Sequence, residues 1–158
     1  QPLVLANDNC EGQLVISGDR AALEAALPLA TARGAKRVIP LAVSVASHSP
    51  LMETITAEFR ETLANTPLTP PAVPIVGNVQ AAPLNTVDEI RAELGDQLTS
   101  TVRWTESVQY MLQHGIDTFV ELGPKDVLSG LIKRIDRGAT RITLNSTAAV
   151  NAFLTGNA

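Results

Sequence analysis

Strand-length apolar runs alternate with helix-period segments along the whole chain, and a cap or turn signal cuts almost every junction. That alternation restricts the polypeptide to an α/β architecture and argues against an all-helical bundle or a β-sandwich. Leu3–Ala6 and Gln13–Ser17 read as two short strands, with Asn7-Asp8-Asn9-Cys10-Glu11-Gly12 as the turn between them. Asp19 is placed to cap a helix over Arg20–Arg33, whose inner face carries Leu23, Leu27 and Ala30 and whose end is marked by Gly34. Pro28 falls inside that pattern. Val38–Val45 is the next extended run, and Pro40 suits it to a sheet edge.

Beyond His48 the texture becomes helical. Met52, Ile55, Phe59 and Leu63 form an amphipathic face that follows Ser49-Pro50. Thr66–Pro74 carries four prolines and reads as a loop, and Val73–Val76 as a short buried strand. Thr86-Val87-Asp88-Glu89 is a capping box for a helix to about Leu98. A helix over Thr105–Gln113 closes at Gly115, with His114 as its C-terminal cap. A strand at Asp117–Leu122, a helix at Pro124–Ile135, a strand at Thr140–Leu144 and a helix capped by Ser146 complete the series.

Composition removes several functional classes. A net charge of −4 leaves no electrostatic footprint for nucleic acid, and no apolar run approaches the length of a membrane span. Cys10 is the one cysteine, so no internal disulfide forms, which fits a reducing, cytoplasmic setting. Aromatics are 3% of residues, so the core must be built from Ala, Leu, Val and Ile. Gln1-Pro2-Leu3 has neither an initiator Met nor a signal-peptide pattern, and the expectation is that the chain begins inside a larger protein. Phosphate-binding glycine loops, metal-ligand spacings and the Gly-x-Ser-x-Gly elbow are all missing from the sequence.

His48 lies where an extended apolar run gives way to a helix, the position at which α/β proteins tend to hold reactive groups. A histidine there can serve as general base toward a hydroxyl nucleophile. Spacing alone leaves that role and an ordinary loop histidine both open.

The stretch Ala6-Asn7-Asp8-Asn9 through Gln13, Val15-Ile16 and Gly18 resembles the A-N-x-N-x-x-x-Q-x-V-I-x-G segment of malonyl-CoA:acyl-carrier-protein transacylases. Val43-Ser44-Val45-Ala46-Ser47-His48 is similar to that family's V-S-x-x-S-H segment, which carries the catalytic histidine. Gln97-Leu98, Val102-Arg103-Trp104 and Ser107-Val108 resemble its Q-L-x-x-x-V-x-W-x-x-S-V, and Glu121-Leu122-Gly123-Pro124 with Val127-Leu128 its E-x-G-P-G-x-V-L. Lys125-Asp126 stands where the family usually has Gly first. The motifs occur in family order and span essentially the whole chain.

The resemblance implies a ping-pong acyl transfer. A serine takes the malonyl group from CoA and passes it to the phosphopantetheine thiol of acyl carrier protein, with no resident cofactor. His48 would be the base, and the backbone carbonyl of Gln97 would orient it. Asn9 would support the site; on its own spacing it also reads as a turn asparagine. Ser47, beside the histidine, would favour malonyl as the acyl group. The family's G-H-S-x-G nucleophile, its G-Q-G-S-Q oxyanion loop and its malonyl-binding arginine have no counterpart in this sequence. The N-terminal half of the enzyme is therefore an expected partner, alongside malonyl-CoA and acyl carrier protein. The implied fold is the C-terminal part of an α/β-hydrolase-like subdomain, residues 44–158, plus an incomplete ferredoxin-like small subdomain, residues 1–43. Alternatives are an acyltransferase domain of a polyketide synthase, a non-catalytic carrier-protein binding module, and a structural half whose partner chain brings the serine.

Overall fold

The computed structural model describes residues 1–156. Its first element is a hairpin of β1 (Leu3–Cys10) and β2 (Gln13–Gly18), antiparallel around a turn at Glu11-Gly12 where Gly12 takes φ 73°. Asn7–Cys10 therefore lies in a strand and not in the turn that its composition suggested. The reason is pairing on both edges. Asn7 and Asp8 pair in parallel with Val102 and Arg103 of β5 (Val102–Arg103), and tertiary hydrogen bonding outweighs local turn preference. The β1–β2 register steps between Leu5 and Asn7 and again between Asp8 and Cys10. Arg134 locks the tip, donating to the Glu11 carbonyl at 2.9 Å.

Helix α1 (Arg20–Ala32) starts where expected, its first N–H groups donated by Ala21 and Ala22 to Asp19 Oδ1 at 2.9 and 3.2 Å. Pro28 is accommodated inside it, and none of its residues is buried. Val38–Val45 forms no strand. Its alternate side chains Ile39, Leu41, Val43 and Val45 are 51–71% exposed, because among the described residues no strand pairs with the segment.

A single 3₁₀ turn (Pro50–Met52) leads into α2 (Glu53–Asn65), which buries Leu63 but leaves Ile55 exposed. The next strand, β3, is Ile75–Val76 and is shorter than the run from Val73. Val73 is exposed and Pro74 has no N–H for a ladder. β3 pairs antiparallel with β4 (Pro83–Leu84), a strand too short to leave a pattern in the sequence. Helix α3 (Val87–Gln97) opens with the full capping box: Glu89 N–H donates to Thr86 Oγ1, and Thr86 N–H donates to Glu89 Oε2. Those bonds hold the Glu89 carboxyl below its usual value.

Helix α4 (Trp104–Gln113) ends at His114, whose Nδ1 donates to the Tyr110 carbonyl at 2.8 Å and whose ring stacks on Tyr110. β6 (Thr118–Leu122), α5 (Val127–Ile135) and β7 (Thr140–Leu144) make a β-α-β unit with parallel strands in register from Thr118/Thr140 to Leu122/Leu144. The helix begins at Val127, three residues later than Pro124, because Glu121 at the end of β6 sets its start. Leu128 and Ser129 N–H groups donate to the two Glu121 oxygens at 3.0 and 2.7 Å. Partial burial works against the charge, yet the bonds from Ser129 and Leu128 hold the Glu121 carboxyl below its ordinary value. Ser146 caps α6 (Thr147–Leu154) through the Ala149 N–H.

Val108, Ile132 and Ala139 form the buried centre, with Trp104, Met111, Leu112, Phe119 and Ile135 packed against it. Among the described residues, no helix is long and apolar enough to cross a membrane.

Candidate active site

The turn that carries His48 is built by its neighbour. Ser49 is fully buried, donates to the Ala46 carbonyl at 2.7 Å and accepts from the Leu51 N–H, so one hydroxyl both closes the loop and caps the 3₁₀ turn. His48 itself takes φ 58°, a left-handed conformation uncommon for a residue with a Cβ. Two bonds to the end of α3 hold it there. Its backbone N–H donates to the Leu98 carbonyl at 3.0 Å, and its ring Nδ1 lies 2.7 Å from the Gln97 carbonyl.

The acceptors are the last residue of α3 and its C-cap, where carbonyls lack intrahelical partners and carry the negative end of the dipole. A carbonyl only accepts, so Nδ1 carries the proton and the Nε2 of neutral imidazole keeps its lone pair. That is the tautomer a general base needs, obtained without a carboxylate.

Beside the ring is a cavity of about 140 Å³ lined by Ser47, His48, Met52, Phe59, Leu94, Gln97 and Leu98. Its walls are the facing sides of α2 and α3, fastened together by Arg60 to Asp96 at 2.6 Å and by Arg91 to the Leu63 and Thr66 carbonyls. The structure thus brings together Ser47, His48 and Gln97. Asn9 is elsewhere: it lies half-buried at the second register step of β1 and does not line this cavity.

Sequence reasoning passed over what supports α3 from behind. Glu93, one turn before Gln97, is 5% exposed, and its carboxylate accepts the N–H groups of Val79 at 2.7 Å and Gln80 at 3.4 Å. Asn78 donates its side-chain amide to Gln97 Oε1 at 3.0 Å. The available signal was Glu93 itself, a charge between Ile90 and Leu94 on the inward stripe of an amphipathic helix.

The chain is similar to malonyl CoA-acyl carrier protein transacylases of Haemophilus influenzae (43% identical over 92% of this chain and 47% of the relative) and Bacillus subtilis (40%, over 92% and 46%). Among solved structures, an acyl carrier protein S-malonyltransferase from Vibrio cholerae superposes with a TM-score of 0.92 at 38% identity, covering 96% of this chain and 50% of that one. A malonyl-transacylase solved in complex with a type II PKS acyl-carrier protein superposes at 0.93 with 37% identity, over 98% of this chain and 50% of that one. The chain therefore spans about half the length of the relatives it matches. Residues 1–147 match the acyl transferase domain, and the chain therefore belongs to the acyl transferase family.

Proposed function

We propose that the protein containing this chain transfers a malonyl group from CoA to the phosphopantetheine thiol of acyl carrier protein, and that this chain supplies the base. The observation that carries the reading is the Nδ1–Gln97 carbonyl bond of His48, within a chain similar to malonyl transacylases. In the first half-reaction His48 Nε2 takes the proton of a serine hydroxyl as that oxygen attacks the thioester carbonyl. The tetrahedral adduct collapses, the carbon–sulfur bond breaks, and the CoA thiolate leaves with the proton from His48. In the second, the carrier's thiol gives its proton to His48 and attacks the acyl-serine; the proton returns to the serine oxygen as the ester breaks.

The serine, the oxyanion-hole donors and an arginine for the malonyl carboxylate are assigned to an N-terminal half, and this chain alone is inactive. Residues 1–43 are assigned to a small ferredoxin-like subdomain and residues 44–158 to the large one, although β1 also pairs with β5 across that boundary. Ser47, on the cavity wall, favours malonyl without excluding methylmalonyl, and Asn9 supports the site from β1. The exposed alternation Ile39–Val45 suits a strand that completes its sheet with the N-terminal half. The setting is cytoplasmic.

Transfer from labelled malonyl-CoA to carrier protein tests the reading. His48→Ala is expected to lower the rate by about 10² to 10⁴, and a rate within about threefold of wild type would overturn it.

A further inference from the structure

We propose that Asn78, at the tip of the β3–β4 hairpin, is a positioning residue for His48 that acts through Gln97; the inference rests on the reading of His48 as the base. The His48 ring is aimed by a carbonyl in the last turn of α3, a part of a helix that frays unless something holds it. Asn78 holds it. Its amide nitrogen donates to Gln97 Oε1 at 3.0 Å, which fixes the side chain of the residue whose carbonyl accepts the His48 Nδ1–H bond.

The tip from which Asn78 reaches is itself immobilised on two sides. On the α3 side, the buried Glu93 carboxylate accepts from Val79 and Gln80, one helical turn before Gln97, so the tip is fastened to one face of α3 at two heights. On the other side, Arg103 N–H donates to the Asn78 carbonyl at 2.8 Å and Ser107 Oγ to the Gly77 carbonyl at 3.1 Å. Gly77 is the residue that permits this closeness: a Cβ there would stand 2.6 Å from Glu93 Oε2. A short hairpin with no group in the cavity is thus tied at three adjacent residues to the helix end that orients the ring.

The test uses the complete protein that contains this chain. Asn78→Ala and Gln97→Met each remove the amide–amide bond and leave the main-chain carbonyl in place. Each is expected to lower kcat about tenfold with KM for malonyl-CoA unchanged, since small displacements of a catalytic group are costly. The double variant is expected to fall by the same about tenfold, because both changes break one link. Asn78→Asp is expected to restore most of the rate, since Gln97 can turn its amide and donate to the new oxygen. Nitrogen-15 spectra of the His48 ring, assigned against His48→Ala, supply a readout independent of turnover. A pure Nδ1–H tautomer is expected in wild type and a mixture in Asn78→Ala. Losses that multiply in the double variant, or ring spectra unchanged by Asn78→Ala, overturn the proposal while leaving the transferase reading intact. A wild-type protein that transfers no malonyl group would sink the transferase reading, and the ring spectra would still decide the role of Asn78.

Discussion

His48 Nδ1 and the Gln97 carbonyl oxygen meet at 2.7 Å across 49 positions of sequence, and the His48 main chain is bonded to the very next carbonyl, that of Leu98. Backbone and side chain of one residue are thereby registered to the same helix end, and rotation of the ring is constrained at its root as well as at its edge.

Because the orienting group is main chain, Gln97→Ala is expected to lose less activity than His48→Ala. A loss of about tenfold against about 10² to 10⁴ is the anticipated contrast in the transfer assay. Equal losses would mean that the side chain of Gln97, and not its carbonyl, does the orienting.

The left-handed backbone at His48 gives a second expectation, about stability. At φ 58° a Cβ costs roughly 1 kcal/mol that glycine avoids. His48→Gly should therefore be more stable than His48→Ala by about 1 kcal/mol, although both lack the imidazole. Denaturant titration of the two variants checks this, and a less stable glycine variant would contradict it.

Glu121 predicts an acid limb. Its carboxyl is held below the ordinary 4.5, so its contribution is fully present above that pH and is lost as pH falls through the lower folded value. Glu121→Gln should flatten that part of the stability–pH curve and cost about 1 kcal/mol at neutral pH, the usual value of a helix-start acceptor. An unchanged acid limb in the variant would rule out this assignment.

Cys10 has no exposed surface, and burial pushes its thiol up despite the opposing charge of Arg134. Iodoacetamide is expected to leave the native protein unmodified and to label it stoichiometrically in denaturant. Fast labelling under native conditions would show that the end of β1 opens.

The chain by itself is expected to form no malonyl adduct. Ser44, Ser47 and Ser49 crowd the sequence around His48, and Ser49 is committed to the turn. Mass spectrometry after incubation with malonyl-CoA measures this directly; a stoichiometric adduct on any serine would mean that the chain carries its own nucleophile.

Legibility in the sequence followed how local each cause was. Asp19, Thr86 with Glu89, and Ser146 announce their helices because a cap acts within three or four residues. The β6-α5-β7 unit was visible from its apolar period. Asn7–Cys10 and Val38–Val45 were misread for opposite reasons. The first is drawn into a strand by β5, almost a hundred positions away, and the second has strand composition without a partner. Pro124 suggested a helix start that Glu121 overrides from the preceding strand. At the site, the His48 position followed from its motif, whereas the tie from Asn78 to Gln97 depends on a hairpin whose strands are two residues long. No periodicity exists at that length.

The 49-residue separation between His48 and Gln97 has a kinetic side as well. Closing a loop of that length costs chain entropy that grows slowly with length and is recovered only when both ends are ordered. Between them lie α2, the proline-rich loop, the β3–β4 hairpin and α3, so this contact is assembled non-locally and is completed after its parts. On unfolding the order reverses. Opening of the last turn of α3 would release the ring while most helices persist, so the His48–Gln97 contact is expected to be lost at lower denaturant than the far-ultraviolet signal of the helices.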